Sequence, residues 1–436
     1  MMTNPVVRCL LAAVIASAML WPLAADEAAS AAPEEYDLQR CVNAALARNP
    51  SLRMAAAEIA IARADLAQAR STDDPRINAS GSLMAFQDPP SFIMPGLGQV
   101  VYGQRLNADA ALQVDIPLTT GGQTDAAKAM ARAGIRAAMA RDMRARQSVV
   151  LEAVTAYFNV LKAADMQKVA EAQRTALAAQ NHAVTKMHEV GLVAKLDPLR
   201  TTAALAGAEE AVILCGNRAK LAEAALKAVL GLDPDQPIVV VERFEDIALP
   251  ADLKAAVDEA LTNRPEVQEL RAQIDQADSA RRFADNQDHP TLGVFGRADL
   301  ARSSALPRTG VFSAGIGVKW PLFDGNASEA AEDRAIAQRS QLEARLDGLR
   351  DQITVEATEA FLALQSSQPR IETTEKAVAA ADEGFELAAV GYANQVVPLT
   401  DMLDAQAQRA KAQNDRAAAV HDRRAAMARL VFALGR

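Results

Sequence analysis

Residues 122 to 190 read GQTDAAKAMARAGIRAAMARDMRARQSVVLEAVTAYFNVLKAADMQKVAEAQRTALAAQNHAVTKMHEV, 69 residues without a proline and with Gly134 as the only internal glycine. An unbroken helix of this length would extend ~100 Å, several times the diameter of a compact domain. Val150, Val154, Tyr157, Leu161 and Ala164 follow one another at spacings of 4, 3, 4 and 3, and Ala183, Met187 and Val190 repeat the pattern. A stripe this narrow is a coiled-coil seam, and its many alanines let helices approach closely. The segment therefore needs helical neighbours along its whole length.

Outward from this helix, Gly191 marks its end, and a second helix is expected from about Asp197 to Leu230. Upstream, Thr119-Thr120-Gly121-Gly122 turns the chain into the long helix. A further helix is expected from Leu38 to about Ser71, interrupted at Asn49-Pro50. Between them lie two alternating segments, Arg76 to Phe86 and Ala108 to Pro117, separated by a proline- and glycine-rich loop from Asp88 to Leu106.

The same order recurs in the second half. Pro265 echoes Pro50 at an offset of 215, whereas Pro321, Phe361, Asp401 and Gly435 echo Pro117, Tyr157, Asp197 and Gly231 at an offset of 204. A single offset that aligns strand ends, helix positions and terminal Leu-Gly pairs is the mark of an internal duplication. The first copy carries eleven extra residues in its strand and loop region, where insertions are tolerated; they include the apolar run Phe92-Ile93-Met94-Pro95. Boundaries follow: signal peptide 1–25, leader 26–37, first repeat 38–231, linker 232–250 and second repeat 251–436.

Each repeat thus reads helix, strand, loop, strand, long helix, helix. The second pair of strands is expected at Thr291 to Ala301 and Phe312 to Leu322. Strands of ~10 residues match a tilted crossing of a bilayer. Val311, Ile316, Val318 and Trp320 alternate with small or polar residues, and Phe86, Tyr102, Phe295, Phe312 and Trp320 suit the lipid interfaces. Ordinary soluble hairpins are the other reading. Against lipid, an open sheet edge is not tolerated and four strands cannot close a barrel alone, so membrane-spanning strands require several chains to share one barrel.

Arg8, the apolar run Cys9 to Leu20 and Ala24-Ala25 form a secretory signal with a cut expected after Ala25. No later run reaches the length of a transmembrane helix. A net charge of −9 without a basic stripe argues against nucleic-acid binding, and aromatic residues make up only 4% of the chain. Beyond the signal, Cys41 and Cys215 are the only cysteines; an oxidising compartment permits their pairing, but their sequence separation does not decide it. His182, His188, His289 and His421 form no metal-ligand spacing, and Gly96, Gly98 and Gly103 miss the dinucleotide fingerprint. The sequence therefore offers no catalytic, cofactor or metal site.

Together these features resemble the TolC-like outer-membrane efflux protein family. The strand-to-helix junction of that family looks like Trp320-Pro321-Leu322-Phe323-Asp324-Gly325 and, more loosely, Ile116-Pro117-Leu118-Thr119-Thr120-Gly121-Gly122. Its helix-tip motif looks like Val190-Gly191-Leu192 and Val390-Gly391-Tyr392, followed by Asp401-Met402-Leu403-Asp404-Ala405-Gln406. The resemblance covers Leu38 to Gly435. It implies a mostly-α chain with a small β membrane portion, three copies of which form an α-helical tunnel topped by a shared twelve-stranded β-barrel in the outer membrane of a Gram-negative bacterium. It further implies a passive exit duct for efflux or type I secretion, whose tips dock a periplasmic adaptor and, through it, an inner-membrane transporter. No cofactor is implied, and no lipoprotein cleavage context surrounds Cys9 or Cys41.

Gly191 and Gly391 are expected to take the left-handed turn at the two tips. Gly391 lies ten residues before Asp401, whereas Gly191 lies six before Asp197, and Asn394 at the register of Val190 is an alternative turn residue. The family's arginine after the second-tip glycine has no counterpart in Tyr392-Ala393-Asn394-Gln395, so the resemblance carries no closed-state latch over. Asp401 and Asp404, three apart on one helix face, would form stacked acidic rings at a trimeric entrance, with Asp197 the matching position of the first repeat. Their ordinary reading is a pair of helix-start carboxylates favoured by the dipole. Pro369 is expected to kink or break the second long helix. A soluble periplasmic adaptor with one long hairpin is the competing function; it would need compact β-rich flanks, which the sequence lacks.

Overall fold

In the computed structural model, which describes residues 34–436 apart from 90, 97, 102–104, 244–248 and 304–305, the first repeat runs β1 (Glu34–Tyr36), α1 (Leu38–Arg48), α2 (Pro50–Arg70), β2 (Arg76–Ala85), β3 (Ser91–Met94), β4 (Gly98–Val101), β5 (Leu106–Thr119), α3 (Gln123–Glu189) and α4 (Leu196–Leu230). After β6 (Ile238–Val240), the second runs α5 (Leu253–Asn263), α6 (Pro265–Asp285), β7 (Thr291–Ser303), β8 (Leu306–Lys319), α7 (Ala327–Ala393) and α8 (Leu399–Ala433). The signal sequence, Cys9 and Tyr102 lie outside the described residues. Among the described residues no helix is long and apolar enough to cross a membrane.

The duplication extends to individual buried side chains. Both long helices contain 67 residues, and both return helices contain 35. Cys41, Ala45, Ala153, Leu226 and Leu230 are buried, and so are Ala256, Ala260, Ala357, Leu430 and Leu434 at the matching positions. Two equivalent cores result, the first around Tyr157 and the second flanked by Phe361. Tyr157 has one addition: its hydroxyl donates to Val241 O at 2.6 Å and accepts from Arg243 N at 3.3 Å, tying the linker to α3.

The short helices join end to end. Asn49 ends α1 and caps α2, its Oδ1 accepting from Ser51 N, while its Nδ2 donates to Val229 O near the end of α4 at 3.1 Å. Arg264 occupies the same place in the second repeat and donates from Nε to Ala433 O at 2.9 Å. Thus α2 continues the line of α4, and α6 that of α8. Because α3 packs on α2, α4, α6 and α8, whereas α7 packs on α6 and α8, the chain forms four rods in the order α2/α4, α3, α6/α8, α7.

Pro369 does not break α7, which stays helical from Ala327 to Ala393. One proline removes a single backbone donor, and the turns around it are held by side-chain hydroxyls: Ser367 Oγ donates to Leu364 O and Thr373 Oγ1 to Pro369 O. The leader and linker are also more ordered than their composition suggests, since β1 and β6 pair in parallel with Tyr36 opposite Val240. Cys41 and Cys215 are both free. Cys41 lies in the core with Leu226, whereas Cys215 is eleven residues away along α4, ~16 Å of helix, too far for a disulfide. Burial pushes the Cys41 thiol pKa up to about 12, so it remains a neutral packing group.

Halfway to the tips, α3, α8 and α7 are joined by polar contacts. His421, 3% exposed, places Nε2 2.9 Å from Asp165 Oδ2; Lys168 bonds the same carboxylate, and Lys162 and Arg370 hold Asp422 at 2.8 and 3.0 Å. Burial alone would raise both carboxyl pKa values, but these hydrogen bonds outweigh it and hold Asp165 and Asp422 below the usual carboxylate range. Both groups therefore stabilise the fold above the ordinary pKa of ~3.9 and lose that contribution as pH falls through their lowered values. Hydrogen-exchange protection of the α3–α8 contact, corrected for intrinsic rates, is expected to drop as pH falls below about 4; constant protection would remove these carboxylates from the account.

Arg264 is buried and bonds Glu356 at 2.7 Å, approaches Glu266 at 3.5 Å and covers the Phe432 ring. Arg264→Ala should cost about 2–3 kcal/mol in denaturant unfolding, below the 3–5 typical of fully buried pairs because Glu356 stays partly hydrated. A loss under 0.5 kcal/mol would show that the α6–α8 joint is held by apolar packing alone.

Candidate functional site

One end of the rods carries an antiparallel sheet ordered β2-β5-β7-β8. Residues opposite one another share a face, and the register separates two chemistries. One face carries Ile77 opposite Val114, Ile116 opposite Val294, Val294 opposite Ile316 and Leu292 opposite Val318. Its side chains stand free: Phe312 is 76% and Ile316 71% exposed. The other face carries Arg76 opposite Asp115, Asn78 opposite Gln113, Gln113 opposite Arg297 and Arg297 opposite Ser313. There Arg297 Nε donates to Asp299 at 2.8 Å and Gln113 Nε2 to Asp115 at 3.0 Å. Near the helices a cavity of about 910 Å³ is lined by Asp65, Gln68, Gln123, Asp115, Phe295 and Lys319.

The strands depart from their expected bounds in three ways. β8 ends at Lys319, before Pro321, because proline offers no ladder donor. Pro117 instead stays inside β5, at a register shift between Pro117 and Thr119. Val311 pairs with Asp299 on the polar face, and Phe295 shares that face, its ring lying against Gly315, where a Cβ would come within 2.9 Å. Neither therefore lies on the apolar face, whereas Phe312 does. The eleven extra residues of the first repeat build the β3–β4 hairpin, with Phe92 opposite Val100 and Ile93 opposite Gln99.

The strand-to-helix junctions use left-handed backbone. Gly121 and Gly122 have φ of 63° and 87°, and a Cβ on Gly121 would meet the His289 side chain at 2.7 Å. In the second repeat Gly325 and Asn326 take φ of 72° and 67°, and the Asp324 carboxylate accepts from Ala327 N and Ser328 N to cap α7.

At the far end, the two helix turns pack side by side around buried Val184, Leu399 and Met402, flanked by Phe385, Tyr392 and Leu403. Burial raises the Tyr392 hydroxyl pKa, and the charge of the half-buried Asp197 adds to it. Asp401 and Asp404 are exposed on one face of α8. Both turns close with the same pair of bonds: Gly191 N to His188 O and Leu192 N to Met187 O in the first, Gln395 N to Tyr392 O and Val396 N to Gly391 O in the second. This is the Schellman arrangement, at the 204 offset.

The second tip corrects the motif match. Gly391 remains inside α7, and its missing side chain instead makes room for Val397, whose Cγ2 would lie 2.5 Å from a Cβ there. The left-handed residue is Gln395, φ 61°, and Asn394 has φ −91°. The turn is therefore not displaced by four residues; the tripeptide Val390-Gly391-Tyr392 only resembles Val190-Gly191-Leu192 in letters. Gly191 does take the left-handed turn, at φ 79°.

A family model described as outer membrane efflux protein matches residues 41–232 and 256–436. The chain belongs to the outer membrane efflux protein family. Both repeats of this efflux family member are thus covered separately. Outer membrane protein TolC of Escherichia coli is 24% identical over 275 residues, 60% of this chain and 56% of its own length, so the chain spans little more than half of that relative. The outer membrane efflux protein BepC of Brucella suis is 23% identical over 76% of this chain and 71% of its own length. In three dimensions the chain is similar to the outer-membrane channel OprN, with a TM-score of 0.78 at 21% identity over 91% of this chain and 89% of that one. The Campylobacter jejuni CmeC outer membrane channel gives 0.80 at 17% identity over 91% and 85%. These likenesses establish a mostly-α fold with a β portion, and the family consists of efflux channels rather than enzymes.

For this efflux family member, sequence reading missed Arg297, Asp299 and Phe295 as one polar face, although alternate charges at Asp109, Asp115, Arg297 and Asp299 carried the signal. It missed Gln395 because glycine is the usual left-handed residue. Gln395→Gly is expected to stabilise the second turn by ~0.5–1 kcal/mol, and Gly191→Ala to cost the first ~1 kcal/mol. Hydrogen exchange at the Leu192 and Val396 amides reads both; a Gln395→Gly turn that opens faster than the parent would refute the assignment.

Proposed function

We propose that three copies of this chain form an outer-membrane exit duct, passively conducting substrates from an inner-membrane pump across the periplasm and outer membrane. The observation that carries this reading is the open two-faced sheet. Its apolar face is suited only to hydrocarbon, its polar face to water, and β2 and β8 leave unpaired edges on opposite sides. A sheet cannot rest in lipid with free edges. Pairing β8 of one copy with β2 of the next satisfies both edges, and three copies close twelve strands around the polar face.

The rods follow the same order, so α7 of one copy meets α4 of the next. Both outer helices present free apolar side chains, among them Val355, Leu362 and Leu387 on α7 and Ile213, Leu214 and Leu221 on α4. Twelve rods then enclose a tunnel continuous with the barrel. The tips Val190, Gly191 and Leu192, with Val390, Gly391 and Tyr392, form its periplasmic end and receive an adaptor that links the duct to its transporter. Asp401 and Asp404, with Asp197 beside them in sequence register, line the entrance and favour cations. The export signal and outer-membrane location belong to the same reading. An adaptor function is disfavoured, because no adaptor needs a bilayer-length sheet with one apolar face.

The purified protein in detergent is expected to show a native mass of three chains and to conduct in planar bilayers. A monomer without conductance would overturn the duct. Asp401→Ala with Asp404→Ala should reduce cation preference, read as the reversal potential in a salt gradient; unchanged selectivity would remove these carboxylates from the entrance.

A further inference from the structure

The two helix tips have the same backbone but opposite charge. Both end in a Schellman turn with an apolar residue at the apex, Leu192 at 60% and Val396 at 79% exposure. Exposed Val190, Leu196 and Leu199 extend the first apolar patch, and Val390 and Leu387 the second. Around them the chemistry diverges. Residues 182–202 contain Lys186, Lys195 and Arg200 against Glu189 and Asp197, whereas the matching residues 386–406 contain Glu386, Asp401 and Asp404 and no cation. At the 204 offset, Arg200 stands where the second repeat has Asp404.

Internal pairing sharpens the contrast. Lys186 is bonded to Glu189 at 2.8 Å, so the first tip keeps Lys195 and Arg200 as its exposed cations. Among the described residues neither has an acidic partner, and Asp401 and Asp404 have no cationic one. Two apolar knobs of one shape, one basic and one acidic, stand side by side around a shared cluster. A partner lodged against both meets opposite fields on its two sides. Like charge opposite either knob would be costly, so charge fixes which side faces which tip.

We infer that the first tip is a docking surface for an acidic, apolar-seamed helical segment of the periplasmic partner, the second tip taking that partner's basic side; this rests on the adaptor reading above. Lipid is a poor occupant, because the tips lie at the opposite end of the rods from the apolar sheet face. The acidic side of the partner supplies carboxylates to Lys195 and Arg200, and its leucines cover Val190, Leu192 and Leu196.

The test uses the full chain in detergent and two synthetic helical-hairpin peptides with the same leucine seam, one flanked by Glu and one by Lys. The Glu-flanked peptide is expected to bind the parent, to weaken about tenfold or more with Lys195→Glu and Arg200→Glu together, and to weaken as salt rises from about 50 to about 300 mM. Asp401→Ala with Asp404→Ala should leave it no weaker and should instead weaken the Lys-flanked peptide. Indifference of the Glu-flanked peptide to the charge reversal, or of the Lys-flanked peptide to the loss of Asp401 and Asp404, overturns the proposal in favour of apolar contact alone. A change in native mass of the reversed variant also overturns it, by assigning the cations to contacts between copies. Bilayer conductance of the same variant separates the two readings: a conducting duct that ignores the Glu-flanked peptide defeats only the docking inference, whereas a non-conducting parent defeats the duct.

Discussion

A backbone group facing hydrocarbon has no water to fall back on, and in the proposed duct the unpaired edges of β2 and β8 make that the governing constraint. In water the sheet would be an aggregation hazard, with one largely apolar face and two free edges. The proposed remedy is a partner at each edge, and because the edges differ, such a contact would run head to tail and close into a ring. The order of the rods repeats the order of the strands, so one rotation would satisfy sheet and helices together. The polar face with Arg76, Asp115 and Arg297 fits the same proposal, since a closed ring would hide that face from lipid.

The helices depend on a joint rather than on length alone. Only α3 and α7 run the full distance, and the remaining two rods are spliced from α2 with α4 and α6 with α8. A splice exposes helix-end carbonyls, and each is met by the residue preceding a proline: Asn49 reaches Val229 O, and Arg264 reaches Ala433 O. Pro50 and Pro265 start the next helix where a missing donor does no harm. Gly231 and Gly435 sit against Arg48 and Arg264 at distances that leave no space for a side chain. The repeated Leu-Gly and Asn/Arg-Pro pairs are therefore the two halves of one joint.

Much of this was legible in the sequence because helix periodicity and a fixed offset survive small local errors. The long helices, their return partners, the break before Pro50 and the shared offset all follow from spacing. What spacing does not carry is long-range pairing of short segments: β1 and β6 have three residues each and are defined only by one another. Pro369 misleads for a related reason, since the propensity penalty of one residue is small against the packing of a 67-residue helix. At the sheet, residue type misleads: Phe295 is as aromatic as Phe312, but parity within the strand sends it to the polar face, over Gly315. At the tip, Gly391 has the right letter in the wrong place, and only the bonding pattern reveals that Gln395 takes the turn.

A duplicated chain supplies its own control, because positions related by the offset share a fold and can be compared directly. Where both copies need the same packing they agree, as at Val149 and Ile353 or Leu226 and Leu430. Divergence at a position of common geometry then points away from folding requirements. The hairpin β3–β4 is present in one copy only, Asn49 and Arg264 solve one joint by different chemistry, and Arg200 opposes Asp404 on surfaces of equal shape. The joint is buried, so its difference is absorbed within the chain through Glu266 and Glu356. The tips are exposed and their charges have no such compensation inside the chain, so the difference is available to whatever sits against them.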